Sequence, residues 1–374
     1  MTPETDVLVV GAGVVGLACG AALARAGRSV IVAERHGQPA QETSSRNSEI
    51  VHAGIYYAPG SLKAELCVAG REAVYERCRC LGIPHRPIGK VIVACEDAEL
   101  EVLEALGRKG TANGAPGLRL LDAGEVARLE PAVRALAGLE SPATGIVDAH
   151  ALALSFAAEA EAHGASLVMH TEVLGVEPAA GGGYRVEVRD ADGERFDLGC
   201  AALVNAAGLE SDRVAARAGF DVDALGYRLH PCKGDYFSLA PGAPLRVSRL
   251  VYPVPAGPGL GVHATLDLGG RIRFGPDAEF VERPRYDVDP GKAEGFARAV
   301  ARYLPGMRAE WLAPDYAGVR PRLAGPGQAA RDFVVAEESA AGWPAFVNLI
   351  GIESPGLTAA PAIAARVVDL LKGL

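Results

Sequence analysis

The chain has 374 residues, 49% of them hydrophobic, and carries a formal net charge of −9 at pH 7. This length suggests two or three folding units of about 150 residues each, with enough apolar side chains for buried cores. The acidic balance, without a basic run, argues against nucleic-acid binding. The seven cysteines include no Cys-x-x-Cys pair, which favours a reducing compartment. No signal peptide or unbroken membrane span is predicted, so we expect a cytoplasmic protein.

The first predicted elements form a βαβ unit. The apolar strand Asp6–Val10 leads into the glycine-rich turn Gly11–Gly16, and the helix Leu17–Ala26 follows. The first glycine of a GxGxxG turn permits the tight bend, the second admits a pyrophosphate, and the third lets the helix pack on the strand. A second strand, Ser29–Ala33, delivers Glu34, whose carboxylate can accept hydrogen bonds from a ribose diol. The pattern predicts binding of an adenine dinucleotide.

Further helices and strands are predicted to alternate up to about residue 205, and the sequence pattern then changes. The predicted elements are helix Ser61–Leu81, strand Lys90–Ala94, helix Asp97–Lys109, a short helix capped by Asp122, an alanine-rich helix from Asp148 to His163, a strand in Ser166–Val176, a hairpin of Tyr184–Val188 with Arg195–Cys200, and a buried strand Ala201–Asn205. From about Tyr227, short β-like runs punctuated by Gly and Pro indicate an antiparallel sheet. A helix, Gly291–Tyr303, follows it. The chain ends with strand Phe346–Ile350 and helix Leu357–Leu371.

The closing turn favours a flavin over a nicotinamide. No second GxGxxG with a flanking strand and helix occurs in the sequence. The final helix follows the turn Gly351–Thr358, whose free N–H groups would point at an anionic site at the positive end of the helix dipole. A reduced flavin carries such negative charge. The simpler alternative is an ordinary helix start after a glycine turn.

Several longer motifs resemble a known family. They are Ser44–Ser48, Ile50–Tyr57, Gly60–Ala64, Asn205–Gly208, Lys233–Phe237, Tyr252–Pro255, Gly261–Thr265, Gly318–Pro321 and Gly351–Thr358. In this order they resemble the FAD-dependent D-amino-acid-oxidase superfamily and, more narrowly, the L-2-hydroxyglutarate dehydrogenase/oxidase family. The similarity extends from residue 6 to residue 366.

We therefore expect an α/β fold (α+β overall) with two domains. One is a Rossmann-like FAD-binding domain made of residues 1–80, 145–225 and 330–374. The other is an inserted substrate domain with a mixed or antiparallel β-sheet, made of residues 81–144 and 226–329. The nucleotide-binding pieces thus lie at the start, in the middle and at the end of the chain.

The candidate cofactor residues come from the fingerprint and from the resemblance. The βαβ unit contributes Gly11, Gly13, Val14, Val15, Gly16, Glu34 and Arg35. The resemblance implies contacts from Ser44, Ser45, Asn47, Ser48, Val173, Ala206, Ala207 and Gly208, and from the closing turn Gly351, Ile352, Glu353, Ser354, Pro355, Gly356, Leu357 and Thr358. We expect FAD to be bound without a covalent link.

Three candidate catalytic residues follow from the chemistry of a hydroxy acid. Arg320 lies in the Gly318–Pro321 motif, where the resemblance implies an arginine that grips the substrate carboxylate through two parallel hydrogen bonds. Loss of the hydroxyl proton calls for a base of near-neutral pKa, and histidine is the natural choice. His52 and His263 each lie inside a family motif, and the base is left open between them. Tyr57, Lys233 and Tyr252 are candidates for lining the substrate pocket, with ordinary strand and loop roles as the alternative.

The resemblance implies oxidation of a small L-2-hydroxy acid, with L-2-hydroxyglutarate to 2-oxoglutarate as the named reaction. An amine or amino-acid oxidase of the glycine, sarcosine or D-amino-acid type and a flavin-free Rossmann-like binding protein remain alternatives. Glu49 stands where the family commonly has glycine, and its charge bears on whether a diacid is the substrate. The expected partners are a small anionic substrate and an electron acceptor, which oxygen, a quinone or an electron-transfer protein could supply. Peripheral contact with the inner face of the membrane stays open.

Overall fold

The computed structural model describes residues 3–255 and 261–373, which form two compact units. The first unit contains Met1–Ser45, Ala149–Pro231 and Arg320–Leu374, and the second contains Arg46–Asp148 and Cys232–Val319. The predicted α/β class with a mixed β-sheet is confirmed.

The residues that the structure describes form eight α-helices and twenty β-strands. The helices are α1 Val14–Arg25, α2 Leu62–Leu81, α3 Leu100–Ala112, α4 Ala123–Leu129, α5 Ala149–Ala162, α6 Ser211–Arg217, α7 Ala293–Ala301 and α8 Gly356–Leu370. The strands are β1 Thr5–Val10, β2 Val30–Ala33, β3 Ile50–Val51, β4 His85–Arg86, β5 Lys90–Ala94, β6 Arg119–Asp122, β7 Ala137–Ser141, β8 Gly145–Val147, β9 Ser166–Val168, β10 Glu172–Pro178, β11 Tyr184–Arg189, β12 Arg195–Asn205, β13 His230–Leu239, β14 Leu250–Pro253, β15 His263–Leu266, β16 Ile272–Gly275, β17 Glu279–Phe280, β18 Leu312–Arg322, β19 Val334–Glu338 and β20 Trp343–Ile350.

The sheet of the first unit is parallel at its centre. β1 lies between β12 and β2, β9 follows β2, and β20 runs parallel to the end of β12. β11 pairs antiparallel with the first half of β12, which is the hairpin that the sequence predicts, and β10 pairs antiparallel with β11 at this edge. Helix α1 packs against α5 and α8. This cover explains why Val7, Leu8 and Val9 are fully buried, since helices on the faces of a parallel sheet exclude water.

The turn from β1 into α1 depends on close backbone approach. A Cβ atom at Gly16 would lie 1.9 Å from the carbonyl oxygen of Gly11, so only glycine fits there. Gly11 itself has φ +102 and faces the Ala206 carbonyl, which a Cβ would approach to 2.7 Å. The fingerprint therefore places the start of α1 directly over the ends of β1 and β12.

The second unit contains a mixed sheet and a small three-stranded sheet. The mixed sheet has the order β17-β13-β16-β15-β14-β5-β7-β6, with β18 also paired to β13. Most of its pairings are antiparallel, whereas β14 and β5 are parallel. The small sheet joins β3, β8 and β4. One apolar cluster of this unit includes Ile50, Ile92, Leu250 and Tyr252.

Three sequence expectations differ from these elements. Arg195–Cys200 and Ala201–Asn205, predicted as separate strands, form the single strand β12. Residues 166–176 form two strands, because His170 has a left-handed φ of +53 that interrupts the extended run. Residues 46–80, which the sequence analysis assigns to the nucleotide-binding domain, fall in the second unit. There β3 pairs with β8, so this segment belongs with the small sheet.

Several predicted helix boundaries are accurate. Ser61 caps α2 by accepting a hydrogen bond from Ala64 N–H, and Asp122 and Glu125 form the predicted capping box of α4. Among the helices formed by residues 3–255 and 261–373, none has both the length and the apolar character needed to cross a membrane.

Candidate active site

The first unit carries a groove at the carboxyl ends of its parallel strands, which we call the nucleotide groove. The sequence-predicted residues that line it are Gly11, Gly13, Glu34, Arg35, Ser44, Val173, Ala206, Ala207 and Gly208. They come from the β1–α1 turn, the end of β2, the 3-10 turn at residues 42–45, β10 and the segment after β12. Ligands of open α/β sheets bind at this edge. The fold therefore brings together in one groove residues that are far apart in the chain.

Gly13 has no side chain, and this leaves the floor of the nucleotide groove open to a ligand. A Cβ atom at Gly13 would lie 3.1 Å from Ser44 Oγ. That hydroxyl accepts a hydrogen bond from Val14 N–H at 3.0 Å, which ties the 3-10 turn to the start of α1. Val15 and Gly16 follow in the first turn of α1, and no acidic side chain occupies that turn. The helix start therefore presents its positive end to the groove.

Glu34 is held rigidly at the end of β2. Its Oε2 accepts a hydrogen bond from Ala12 N–H at 2.8 Å, and its Oε1 accepts one from His36 N–H at 2.9 Å. Each carboxylate oxygen has a second lone pair, so the group can still accept from a diol. Arg35 beside it pairs with Glu42 at 2.5 Å. The glutamate is thus fixed in the groove by backbone contacts rather than by a cation.

The closing turn lies between β20 and α8. Gly351 has φ +71, and a Cβ there would lie 2.5 Å from the Leu323 side chain, so a larger residue does not fit. Glu353 Oε2 lies 3.6 Å from Arg322 Nε. The other predicted contacts of this turn, Ile352, Ser354, Pro355, Gly356, Leu357 and Thr358, lead into α8, which begins at Gly356. This turn and Ser45 are not among the residues that line the nucleotide groove.

Asn47 and Ser48 belong to the second unit, where they contact two tyrosines. The Asn47 carbonyl accepts a hydrogen bond from Tyr316 Oη at 2.6 Å, and Ser48 Oγ lies 2.6 Å from Tyr236 Oη. The two tyrosine rings stack with centroids 4.5 Å apart. The Asn47 side chain accepts from Glu49 N–H at 2.7 Å. These contacts fix the backbone of the loop that leads into β3.

Both candidate bases lie in one buried group of side chains in the second unit. This histidine cluster consists of His52, Tyr56, Lys90, Tyr252 and His263. The His263 ring stacks on the Tyr252 ring with centroids 3.5 Å apart and planes 7° apart. Burial, followed by the nearby charges of Lys90 and His263, lowers the pKa of His52 well below the usual value. A neutral imidazole is the form that accepts a proton.

Lys90 is a member of the histidine cluster that sequence reasoning missed. It opens the apolar strand β5, and only 1% of its surface is exposed. Its Nζ lies 4.5 Å from the ring centroid of Tyr252 and 4.9 Å from that of Tyr56. Burial lowers the pKa of Lys90 to about 7. The available signal was a lysine at the start of an otherwise continuous apolar run, Lys90–Ala94.

The remaining substrate candidates have different surroundings. Lys233 Nζ donates to Asp235 Oδ1 at 2.5 Å, and both groups are buried. Lys292 Nζ contacts the other oxygen of Asp235 at 2.7 Å, which extends this ion pair into a network. The Tyr57 carbonyl accepts from Asn113 Nδ2 at 2.9 Å. Arg320, half-buried near the end of β18, belongs to the first unit.

Comparison with known proteins defines the class. The model of the FAD dependent oxidoreductase (DAO) family matches residues 6–370, so this chain belongs to that family. It is an FAD-dependent oxidoreductase with a DAO-type fold. The nucleotide groove fits the group, because it combines glycines at close backbone approach, a helix start and a fixed glutamate.

Two relatives in sequence have a named activity. Over 98% of this chain and 83% of the relative, the sequence is 38% identical to a mitochondrial L-2-hydroxyglutarate dehydrogenase from Arabidopsis thaliana. It is 29% identical to the L-2-hydroxyglutarate dehydrogenase of Escherichia coli, over 99% of this chain and 93% of that protein. These relatives support the family resemblance that the sequence motifs carry.

Solved structures agree with the fold. An FAD-bound L-alpha-glycerophosphate oxidase from Mycoplasma pneumoniae superposes with a TM-score of 0.87 at 28% identity, covering 98% of this chain and 94% of that one. A glycine oxidase from Geobacillus kaustophilus superposes with a TM-score of 0.79 at 22% identity, covering 99% and 95% of the two chains. At that identity the second likeness concerns the fold alone.

Proposed function

We propose that this chain oxidises L-2-hydroxyglutarate to 2-oxoglutarate. The observation that carries the proposal is the histidine cluster, which holds two imidazoles together in a buried part of the second unit. Removal of a hydroxyl proton needs such a base, whereas an amine donor can be oxidised from its neutral form without one. The named activity of the relatives supports the same class of donor.

The nucleotide groove would hold FAD without a covalent link. Gly11 and Gly13 would admit the pyrophosphate, Glu34 would accept hydrogen bonds from the adenosine ribose, and the backbone of Val173 would border the adenine. Ser44 would add a hydroxyl contact beside the start of α1. When bound, the flavin supplies a two-electron acceptor that takes up the hydride from the substrate carbon.

The protein groups bind the substrate and accept its hydroxyl proton. Arg320 would grip the carboxylate next to the reacting carbon through a bidentate pair, which fixes the orientation of the C–H bond. As that carbon loses its hydride, the O–H bond breaks, its electron pair forms the carbonyl, and the proton passes to an imidazole nitrogen of His52 or His263. The low pKa of His52 keeps that residue in the accepting form.

The charge of Glu49 is compatible with a diacid. Glu49 Oε2 lies 3.6 Å from Arg273 Nη1, so its carboxylate has a cationic partner. Arg273 also contacts Asp315 at 3.0 Å and Asp267 at 3.5 Å. Glu49, which stands where the resemblance implies a glycine, therefore adds a negative charge to an ion-pair network within the second unit.

The electron acceptor and the location of the protein are further parts of the proposal. We place the enzyme in the cytoplasm, with peripheral contact to the inner face of the membrane as the alternative. Oxygen, a quinone and an electron-transfer protein all remain candidate acceptors. Comparing turnover of the purified holoenzyme with oxygen and with a soluble quinone analogue separates the first two, since only the true acceptor sustains turnover.

A donor panel tests the proposed reaction. Purified holoenzyme with an artificial electron acceptor is given L-2-hydroxyglutarate, D-2-hydroxyglutarate, L-lactate, glycine, sarcosine and D-alanine, and the keto product is measured. We expect 2-oxoglutarate from the L-isomer alone. Turnover of an amine with no turnover of any hydroxy acid would instead establish the amine or amino-acid oxidase alternative.

A further inference from the structure

Lys90 is a buried cation in apolar surroundings. Only 1% of its surface is exposed, and it stands opposite Leu250 of β14 and Ser141 of β7 in the sheet of the second unit. Ile92 lies two positions along β5, on the same face, and it belongs to the apolar cluster that also contains Tyr252. An ammonium group in such surroundings is unfavourable unless other groups compensate it. Lys90 therefore calls for a reason beyond packing.

The protein supplies no counter-charge for Lys90. In the described parts of the chain, no carboxylate lies in ion-pair range of its Nζ. A Cys67 thiolate would favour the ammonium, but burial raises the pKa of that thiol to about 12 and so keeps it neutral. Burial likewise raises the pKa of Tyr56 and of Tyr252, which keeps both phenols protonated. The charge of Lys90 is thus left for a ligand to balance.

Two tyrosine rings face the Lys90 ammonium, and one of them carries an unsatisfied hydroxyl. Nζ lies 4.9 Å from the ring centroid of Tyr56 and 4.5 Å from that of Tyr252. Tyr56 Oη is buried and has no hydrogen-bond partner among the residues that the structure describes. A buried hydroxyl in this state has lost its hydrogen bonds to water without gaining others. The ammonium and this hydroxyl are therefore two neighbouring donors that lack an acceptor in the described parts of the protein.

The same contacts connect Lys90 to a candidate base. The His263 ring stacks on the Tyr252 ring with centroids 3.5 Å apart, and Lys90 faces that same tyrosine ring at 4.5 Å. The ammonium therefore lies no farther from the centroid of the His263 ring than these two distances together. In 2-hydroxyglutarate, two methylene groups separate the reacting carbon from the second carboxylate. A molecule of this length can contact His263 at its hydroxyl and Lys90 at its far end.

We propose that Lys90 and Tyr56 bind the second carboxylate of the substrate, the one remote from the reacting carbon, and so select dicarboxylates over monocarboxylates. This inference rests on the function proposed above. One carboxylate oxygen accepts from the ammonium and the other from the Tyr56 hydroxyl. Both donors are shielded from water, where charge-assisted hydrogen bonds are strong. Burial lowers the pKa of Lys90 to about 7, and a bound carboxylate favours its charged form.

A pair of substrates tests this selectivity. L-2-Hydroxyvalerate has the carbon chain of L-2-hydroxyglutarate with a methyl group in place of the second carboxylate. Lys90→Met keeps a side chain of similar length without the charge. We expect it to lower kcat/KM for L-2-hydroxyglutarate about tenfold to a hundredfold, mainly through KM, and to leave kcat/KM for L-2-hydroxyvalerate within about threefold of the wild type. Tyr56→Phe removes only the hydroxyl, and we expect the same pattern with a loss of up to about tenfold.

The control is Lys109→Met, which removes a partly exposed lysine at the end of α3 in the same unit. It is expected to leave kcat/KM for both substrates unchanged. An equal loss for the two substrates in Lys90→Met would mean a structural role. An undiminished preference for the dicarboxylate would mean that Lys90 does not contact the second carboxylate. Either result overturns the proposal.

Equilibrium binding separates this inference from the proposed reaction. Glutarate and valerate differ by the same carboxylate and carry no hydroxyl group to oxidise, and titration calorimetry of the holoenzyme measures their affinities. We expect the wild type to bind glutarate about tenfold or more tighter than valerate, and Lys90→Met to bind the two acids alike. That result without turnover of L-2-hydroxyglutarate would support the Lys90 site and reject the proposed function.

The wild type and Tyr56→Phe decide the matter should Lys90→Met fail to fold. Equal affinities of the wild type for glutarate and valerate would overturn the proposal. A preference for glutarate that Tyr56→Phe keeps in full would overturn it as well. Turnover of L-2-hydroxyglutarate alongside either result would leave the proposed function in place.

Discussion

Glu49 Oε2 forms an ion pair with Arg273 Nη1, 3.6 Å away, in the loop that leads into β3. Glu49 also has a φ of +59, a left-handed conformation that side chains other than glycine adopt at a cost. A glycine, which the family resemblance implies at this position, would adopt this backbone conformation without that cost. In this chain Glu49 adopts the unfavourable left-handed conformation and forms an ion pair with Arg273.

Two substitutions at Glu49 separate backbone strain from the ion pair. Glu49→Ala and Glu49→Gly both lose the contact with Arg273, but only alanine keeps a Cβ in the left-handed region. We expect Glu49→Gly to have a free energy of unfolding about 1 kcal/mol higher than Glu49→Ala. Urea denaturation of both holoenzymes measures it. Equal stabilities would show that the loop relaxes to another conformation.

Gly13→Ala is expected to weaken FAD binding while leaving the fold intact. The new Cβ would lie 3.1 Å from Ser44 Oγ and would crowd the surface that faces the pyrophosphate. We expect affinity for FAD to fall about tenfold or more, which corresponds to about 1.4 kcal/mol. Flavin fluorescence released on dilution measures it.

The matched control for Gly13→Ala is Gly295→Ala within α7. A Cβ at Gly295 meets no atom within 4 Å, so the substitution adds helix propensity without a clash. It is expected to keep full flavin content and to raise stability by about 0.5–1 kcal/mol. Equal flavin affinity in Gly13→Ala and Gly295→Ala would show that FAD does not bind in the nucleotide groove.

The stability difference between the wild type and Lys90→Met is expected to depend on pH. The pKa of Lys90 is about 7 in the folded protein and 10.5 as an ordinary lysine, so between these values the unfolded chain binds more protons. The free energy of unfolding of the wild type therefore rises with pH across this window, by about 5 kcal/mol from this group. Lys90→Met has no such group.

We thus expect Lys90→Met to be more stable than the wild type below pH 7, with the gap narrowing as the pH approaches 10.5. Urea denaturation at several pH values measures the gap, and Lys109→Met should follow the wild-type curve throughout. A gap that stays constant with pH would mean that Lys90 has an ordinary pKa in the folded protein.

Arg320→Lys is expected to raise the KM for the hydroxy acid about tenfold to a hundredfold. Lysine keeps the charge but cannot form the bidentate pair with a carboxylate, and a charged hydrogen bond contributes about 1.5–3 kcal/mol. Arg331→Lys is the control, because Arg331 is exposed and donates to the Gly226 carbonyl. An unchanged KM in Arg320→Lys would show that Arg320 does not bind the substrate carboxylate.

The nucleotide-binding part could be predicted from the sequence because its signals are local. The glycine spacing of the turn, the apolar strand before it and Glu34 after β2 all lie within thirty residues or so. The close approach of Gly16 to Gly11 confirms why that spacing is needed. The N-cap Asp122 is an equally local signal, and this prediction is confirmed.

The parts that sequence reasoning missed depend on contacts between distant segments. Lys90 is buried because β14 and β7 flank β5, and both strands come from other parts of the chain. Residues 46–80 fall in the second unit because β3 pairs with β8, about a hundred residues later. Neither partner strand could be assigned from hydrophobic periodicity, which shows where a strand lies but not what it pairs with.

Anaerobic reduction of the bound flavin tests the central claim most directly. Oxygen-free holoenzyme is mixed with L-2-hydroxyglutarate, and the visible absorbance band of the oxidised flavin is followed by stopped flow, with the D-isomer, glycine and sarcosine as separate donors. We expect the L-isomer alone to bleach the band, with formation of one 2-oxoglutarate for each flavin. Bleaching by glycine or sarcosine, with an unchanged band in L-2-hydroxyglutarate, would contradict it.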